Sequence, residues 1–178
     1  MYSVGISSRA FFWVKQLPAK LTTVKKEKIM EQIDVQGHMK QRFATYRKIA
    51  DESGEEKAWD TCFEGYPERQ KQMMGPFIEN NTLAGGFAEA IPFYKQIGME
   101  MEVVDISNNG MDAVIEVQKV CPVLDVAKEH GFEKPCRVIC EMDVAATKAA
   151  FKDMKGEVLA RIADGDCVCL FKYERPQK

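Results

Sequence analysis

Apolar residues recur at helical spacing over the first half of the chain. Three segments carry such a stripe between charged positions: residues 25–50, 67–78 and 82–96. Pro76 lies inside the second segment and Pro92 inside the third, where proline bends or divides a helix. The sequence therefore predicts that the first half of the chain is mainly helical.

The apolar period changes to two near residue 99. Two strand-like runs, 99–103 and 113–120, flank a tight-turn signal at Asn108-Asn109-Gly110. Further along the chain, helical segments are predicted at 122–130 and 137–151, and a closing hairpin pairs 157–163 with 167–173 through Asp164-Gly165-Asp166. The order of helices, hairpin, helices and hairpin predicts an α+β fold: a four-stranded antiparallel sheet made from two hairpins, packed with helices on one face.

Length and charge divide the chain into two parts. At 178 residues it is long enough for one domain with a real core. Residues 1–26 hold five basic residues and no acidic ones, although the whole chain has a net charge of −2. We therefore predict a basic aromatic N-terminal arm, residues 1–24, followed by a single α+β domain, residues 25–178. The arm includes Phe11, Phe12 and Trp13, a set suited to docking on a protein complex or a membrane surface.

Net charge and the length of the apolar runs limit the expected partners and the expected cellular location. The net charge gives no case for a nucleic-acid partner. No apolar run approaches the roughly 20 residues that span a bilayer, and the apolar patch at 10–14 is too short for a secretory signal. A cytoplasmic location is therefore expected, where cysteines stay reduced and disulfides are the least expected use of them.

Five of the six cysteines lie in the last third of the chain. Cys121 directly precedes Pro122 at the predicted start of a helix, where unpaired backbone N–H groups and the helix dipole lower the pKa of a thiol. A buried, inert cysteine at a strand-to-helix junction is an equally good interpretation. The others are Cys136, Cys140, Cys167 and Cys169.

Carboxyl groups lie close in sequence to two of these cysteines. Cys140 is followed by Glu141 and Asp143, which indicates half of an acid-base pair or of a metal site, or else simple core packing. Cys169 shares a strand face with Phe171 and Tyr173 in the predicted hairpin. Asp166 stands at the hairpin turn, where aspartate is common for purely local reasons.

The cysteine spacings do not fit a zinc ribbon or finger. They are C-x3-C and C-x-C, without a partnering histidine pair, since His38 and His130 are the only histidines. The residues alone leave open whether any metal or other cofactor is bound.

The second half of the chain resembles the L-2-amino-thiazoline-4-carboxylic acid hydrolase family. The matching residues are Cys121-Pro122, Cys140 with Asp143, and the closing Gly165-Asp166 turn that leads to Cys169 and Phe171. The resemblance covers about residues 90–175. It implies a hydrolase that adds water at the amidine-like carbon of a cyclic thiazoline carboxylate.

By residue match, the resemblance implies a cysteine-lined site. Cys121, Cys140 and Cys169 would line it, and Asp143 and Asp166 would orient groups or exchange protons. One cysteine would then act as the nucleophile, with Cys121 the most reactive, or two would hold a metal that activates water.

The sequence is therefore compatible with two functions. The first is a hydrolase acting on a small cyclic substrate. The second is a non-catalytic module that binds a small ligand or cofactor, or an accessory subunit that docks on a larger, membrane-associated complex through its arm. The substrate and the oligomeric state, including a homo-oligomer, are not fixed by the residues.

Overall fold

The computed structural model describes residues 35–96, 98–133 and 137–177. The predicted arm, the first part of the first predicted helix and Cys136 lie outside these ranges. The division into an arm and a domain therefore stays a prediction.

Helices fill the first part of the described chain. Only Gly54, at φ 88°, separates the first two helices. Gly65, at φ 67°, separates the second from the third, and both glycines adopt a left-handed φ that other residues avoid. Pro76 and Pro92 are accommodated inside their helices. The helices are α1 (Val35–Ser53), α2 (Glu55–Phe63), α3 (Tyr66–Ile78) and α4 (Leu83–Gln96).

The described strands form a four-stranded sheet in the order β1-β2-β4-β3, with every neighbouring pair antiparallel. Each predicted hairpin is present, and the pairing of β2 with β4 joins the two. The predicted α+β class and antiparallel sheet are confirmed. The strands are β1 (Met101–Asp105), β2 (Met111–Gln118), β3 (Lys155–Ala160) and β4 (Cys169–Pro176).

The connections differ in how well they follow the predicted turns. Asn109 and Gly110 both have positive φ, as the tight turn between β1 and β2 requires. The second hairpin has a longer connection, because a short 3-10 helix (Ile162–Asp164) precedes Gly165, whose φ is 99°. Strand β3 therefore ends at Ala160 and β4 begins at Cys169.

Two further helices lie between the hairpins. Helix α5 (Leu124–Glu129) has six residues, and a π-helical turn (Arg137–Glu141) runs directly into α6 (Met142–Ala150). No helix within the described ranges combines the length and the apolarity needed to cross a membrane.

One face of the sheet is buried beneath the helices. Along β4 the buried residues alternate with partly exposed ones, as expected for a strand covered on one face. The helix–sheet core is built around Met74, Leu83, Phe87, Val114 and Phe171. A second core, the helical core, is built around Phe43, Tyr46, Val126, Val138 and Met142. Polar groups that lie between the helices and the sheet are therefore buried from solvent.

Gly86 allows α4 to approach the end of α3 closely. A Cβ atom at this position would lie 2.5 Å from the Phe77 carbonyl oxygen and 2.7 Å from Ile78 Cγ2. Because the backbone would have to shift, we expect Gly86→Ala to lower the free energy of unfolding by about 1–3 kcal/mol, measured by urea denaturation.

Gly75 supplies the matched control for this prediction. It also lies inside a helix, but a Cβ there would meet nothing closer than the Glu79 side chain at 3.5 Å. Gly75→Ala should change the stability by less than about 1 kcal/mol, because the better helix propensity of alanine is offset by the Pro76 ring that follows it. Equal stability of the two variants would contradict the close approach at Gly86.

Candidate functional site

The structure places the predicted cysteines against different cores. Cys140 lies in the π-helical turn and Cys169 at the start of β4, and both contact the helix–sheet core. Cys121 precedes α5 and contacts the helical core. Two of the three cysteines therefore share one environment. Their catalytic roles stay predictions.

The helix after Cys121 begins later than its sequence predicts. Helix α5 starts at Leu124, and Val123 occupies the N-cap position. The positive end of the helix dipole therefore lies beyond Cys121, and the physical reason given above for a lowered thiol pKa does not apply at this position.

Cys169 and Asp166 have local structural contacts at the β3–β4 connection. Cys169 is 4% exposed, and its Sγ accepts a hydrogen bond from the backbone N–H of Ile162 at 3.3 Å. Asp166 is exposed, and its Oδ2 accepts a hydrogen bond from the backbone N–H of Arg161 at 2.8 Å. These contacts hold the loop together, which is a common use of aspartate in turns.

Asp143 forms a hydrogen bond with Tyr66 of helix α3. It lies in the first turn of α6, and its Oδ1 accepts a hydrogen bond from the Tyr66 hydroxyl at 2.9 Å. Burial raises the pKa of the Asp143 carboxyl, while the hydrogen bond from Tyr66 and the charge of Arg42 oppose that rise.

Glu116 is the most unusual ionisable residue in the described chain. It lies on β2 and is 6% exposed, with the helix–sheet core around it. Burial raises the pKa of its carboxyl to about 8, and the nearby charge of Asp143 adds to the rise. Its Oε1 is buried and has no hydrogen-bond partner among the described residues. A buried acceptor without a partner is costly, which marks it as a group placed for a ligand.

Two tyrosines lie close to both carboxyl groups. Burial raises the pKa of Tyr94 on α4 and of Tyr173 on β4, and the charges of Glu116 and Asp143 raise both further. Phe87 stacks on Tyr173 with ring centroids 5.3 Å apart. We call Glu116, Asp143, Tyr66, Tyr94 and Tyr173 the carboxyl cluster.

A second acceptor without a partner lies beside this cluster. Gln70 on α3 donates a hydrogen bond to Thr147 Oγ1 at 2.9 Å, and that hydroxyl donates to the backbone carbonyl of Asp143 at 2.9 Å. Gln70 is 3% exposed, and its Oε1 is buried without a partner in the described part of the chain. Two orphan acceptors therefore lie on the inner faces of α3 and β2.

This arrangement offers hydrogen-bond acceptors and aromatic surface. The orphan oxygens of Glu116 and Gln70 can accept hydrogen bonds from N–H or O–H groups, and the tyrosine rings provide flat walls. Burial and the charge of Asp143 raise the pKa of the Glu116 carboxyl to about 8, so Glu116 keeps its proton at neutral pH, as the acid of an acid-base pair must.

The described residues do not form a metal site. In residues 35–96, 98–133 and 137–177, no group of three or more histidine, cysteine, aspartate or glutamate side chains is placed to hold a metal ion.

Sequence reasoning missed Glu116, although one signal was present. Glu116 interrupts the apolar run from Ala113 to Val117, and the strand period of two puts it on the same face as the buried Val114. A charged residue at an inward-facing strand position is seldom buried without a purpose.

Comparison with known proteins gives one sequence family and a related fold. The model of the family described as L-2-amino-thiazoline-4-carboxylic acid hydrolase matches residues 32–173. No curated protein matches the chain by sequence. Among solved structures, the phenol-responsive sensory domain of the transcription activator PoxR, crystallised with phenol, is similar at a TM-score of 0.51 and 14% identity, covering 78% of this chain and 74% of that one. At that identity the likeness shows a shared fold.

Proposed function

This chain belongs to the L-2-amino-thiazoline-4-carboxylic acid hydrolase family, and we propose that it hydrolyses a carbon–nitrogen bond of a small cyclic amidine. The substrate lies in the carboxyl cluster, between the helices and the sheet. Cyclic amidines present N–H donors on a flat ring, which suits orphan oxygen acceptors flanked by tyrosine rings.

The observation that carries this proposal is the buried carboxyl of Glu116, whose Oε1 has no partner among the described residues and which the charge of Asp143 reaches. In the proposed route the Glu116 carboxyl, whose pKa is raised to about 8, keeps its proton at neutral pH and donates it, and Asp143 is assigned the role of proton acceptor. Both groups also raise the pKa values of Tyr94 and Tyr173, which supports one shared electrostatic site.

The reaction needs only water and this pair. Asp143 takes a proton from water as the water oxygen bonds to the C=N carbon, and Glu116 gives its proton to the ring nitrogen. The carbon–oxygen double bond then forms as the ring carbon–nitrogen bond breaks; Glu116 takes the hydroxyl proton, and Asp143 gives its proton to the leaving ring nitrogen. In sum, the ring nitrogen gains two protons, the water oxygen stays on the carbon, and both carboxyl groups return to their starting states.

Cys140 serves as part of the wall in this proposal. It lies three residues before Asp143 on the continuous helical run and packs on the helix–sheet core. A thiol used as a nucleophile is not required, because the carboxyl pair suffices to activate water. The predicted participation of Cys121 and Asp166 has no role in this route.

Incubation with L-2-amino-thiazoline-4-carboxylic acid tests the proposal. Mass spectrometry should show a product heavier by one water. Asp143→Asn should lower the rate by about 10²–10⁴-fold, because the acid-base pair is broken. Cys140→Ala should retain the rate within about tenfold, since it removes only wall contacts.

The controls separate chemistry from folding. Asp125→Asn changes a highly exposed carboxyl on α5 and should leave the rate unchanged. A complete loss in Cys140→Ala with the fold intact would instead favour attack by the thiol. If neither binding nor product is found for the wild-type protein, the proposed function is wrong.

A second candidate function is ligand binding without catalysis. The related fold of a phenol-responsive sensory domain favours it, because the O–H of a phenol is a donor of the kind that the unpartnered Oε1 of Glu116 can accept. Calorimetric binding of phenol, together with intact thiazoline after prolonged incubation, would support this function over hydrolysis.

A further inference from the structure

Arg42 reaches from α1 to the helical run that carries Asp143. Its Nη2 donates to the Val138 carbonyl oxygen at 2.9 Å and to the Met142 Sδ at 3.2 Å. Val138 lies in the π-helical turn, and Met142 directly precedes Asp143 at the start of α6. These two contacts therefore fix the guanidinium beside the first turn of that helix.

The same guanidinium lies over a tyrosine that is hydrogen-bonded to Asp143. Its carbon is 4.6 Å from the centroid of the Tyr66 ring, which is within the range of a cation–π contact. The Tyr66 hydroxyl donates to Asp143 Oδ1 at 2.9 Å. Arg69 also lies over this ring, at 5.1 Å. We call Arg42, Tyr66 and Asp143 the Arg42 network.

The position of Arg42 is costly as well as well defined. Neither acceptor of its Nη2 carries a charge. Its Nε is buried without a hydrogen-bond partner among the described residues. A cation whose donors are incompletely paired inside a protein lowers the free energy of unfolding. A residue that costs stability in this way indicates that its charge serves a neighbouring group.

Asp143 is the group on which this charge acts. Burial raises the pKa of its carboxyl, whereas the hydrogen bond from Tyr66 and the charge of Arg42 lower it. Burial and the charge of Asp143 hold the pKa of Tyr66 above its ordinary value, so the tyrosine keeps its proton and remains a donor. The other ionisable groups whose pKa values respond to Asp143 are acids on three elements: Glu116 on β2, Tyr94 on α4 and Tyr173 on β4. Arg42 is therefore the positive charge that opposes the effect of burial on Asp143.

His38 does not supply a second positive charge at neutral pH. It lies one turn before Arg42 on α1, and burial lowers the pKa of its imidazole, with the charges of Arg42 and Arg69 adding to the effect. The imidazole is therefore mainly uncharged at neutral pH. A loss of the Arg42 charge is not made good by this histidine.

We propose that Arg42 is a positioning residue that holds Asp143 ionised through Tyr66, so that Asp143 is the base of the proposed hydrolysis. This inference rests on the proposed function and adds two residues to its machinery. The hydrogen bond from Tyr66 stabilises the carboxylate form of Asp143. The charge of Arg42 lowers the pKa of Tyr66 and so makes its hydroxyl a stronger donor.

The pH dependence of the rate tests this role. The acid limb of kcat/KM for L-2-amino-thiazoline-4-carboxylic acid reports the ionisation of the base. Tyr66→Phe keeps the ring and removes the hydroxyl, and should move that limb upward by about 1–2 pH units, because a hydrogen bond to a charged group is lost. Arg42→Met should move it in the same direction by about 1 pH unit or more. The limb near pH 8, which Glu116 sets, should keep its position.

A carboxyl ¹³C NMR titration of Asp143 measures the same shift without substrate. The pKa of Asp143 should rise in both variants, in step with the acid limb. Arg42→Lys keeps a charge at this position, and its shift should be less than about half of that in Arg42→Met.

Arg47 provides a matched control on the same helix. Its guanidinium carbon lies 4.1 Å from the Phe132 ring centroid, and its Nη2 donates to the Gly131 carbonyl oxygen, so it makes the same kinds of contact away from Asp143. Arg47→Met should therefore leave both the acid limb and the titration of Asp143 unchanged.

The outcomes separate this inference from the proposed function. A rate that falls by the same factor at every pH, with the Asp143 titration unmoved, overturns the inference, because the arginine and the tyrosine would then support only the fold. An unmoved titration in Tyr66→Phe overturns it even if Arg42→Met fails to fold. Absence of hydrolysis by the wild-type protein overturns the proposed function and the role of Asp143 as a base, whereas the titration still decides whether the Arg42 network holds Asp143 ionised.

Discussion

Glu116→Gln is expected to lower kcat/KM for the cyclic amidine by about 10²–10⁴-fold while making the protein more stable above neutral pH. The amide keeps the shape of the side chain and cannot exchange a proton. Hydrolysis by the wild-type protein should itself decline as pH rises past about 8, because the acid of the pair then loses its proton.

The gain in stability follows from the raised pKa of Glu116. Its carboxyl ionises near 4.5 in the unfolded chain and near 8 in the folded protein. Between these values the folded state binds more protons, so the stability of the wild-type protein falls as pH rises through this range and levels off above it. The decline should be about 2–5 kcal/mol, since each pH unit of separation corresponds to about 1.4 kcal/mol. Glutamine has no such penalty, and the curve of the variant should be flatter.

Urea denaturation from pH 4 to 9, paired with rate measurements, checks both halves of this prediction. Glu102→Gln is the matched control, because Glu102 lies on the neighbouring strand β1 with an exposed side chain paired to Lys119. It should change neither the rate nor the pH dependence. A Glu116→Gln variant that is less stable than wild type at pH 9 would show that the carboxyl group is a structural acceptor instead of a functional acid.

Opposite effects on activity and stability would identify Glu116 as a functional residue. A side chain selected for packing stabilises the fold, whereas an acid kept buried for chemistry costs stability.

Local sequence patterns predicted the strands and most helices, but they did not predict Glu116 as a site residue. Glu116, Asp143 and Tyr66 are dispersed along the chain, and the hydrogen bond from Tyr66 to Asp143 forms only after α3 and α6 have packed together.

The thiols were easier to notice in the sequence because cysteine is rare and clustered there. Their environment depends on long-range packing, which the sequence pattern does not encode locally. Cys140 and Cys169 both contact the helix–sheet core, whereas Cys121 packs against the helical core. Residue type thus indicated reactive chemistry, and topology decides which groups share a site.

Asp112→Ala is expected to cause the largest loss of stability, about 3–5 kcal/mol in the free energy of unfolding. Asp112 and Arg175 are 5% and 7% exposed and face each other on β2 and β4, with Asp112 Oδ2 and Arg175 Nε 2.9 Å apart. Asp112 also accepts the backbone N–H of Leu83, and Arg175 donates to the Asn81 carbonyl oxygen at 2.6 Å. Without the carboxylate, a buried cation and an unpaired N–H at the first residue of α4 remain.

A double variant tests whether the uncompensated charge causes this loss. Asp112→Ala combined with Arg175→Met removes both charges, and should be more stable than Asp112→Ala alone. Glu129→Ala is the exposed comparison, because it breaks the ion pair between Lys40 Nζ and Glu129 Oε2, which are 3.0 Å apart. It should lower the free energy of unfolding by less than about 1 kcal/mol. Urea denaturation of the four proteins decides between the causes. If the double variant were no more stable than Asp112→Ala, the loss would come from the orphaned N–H of Leu83, and the buried pair would matter as a helix cap instead of as a charge pair.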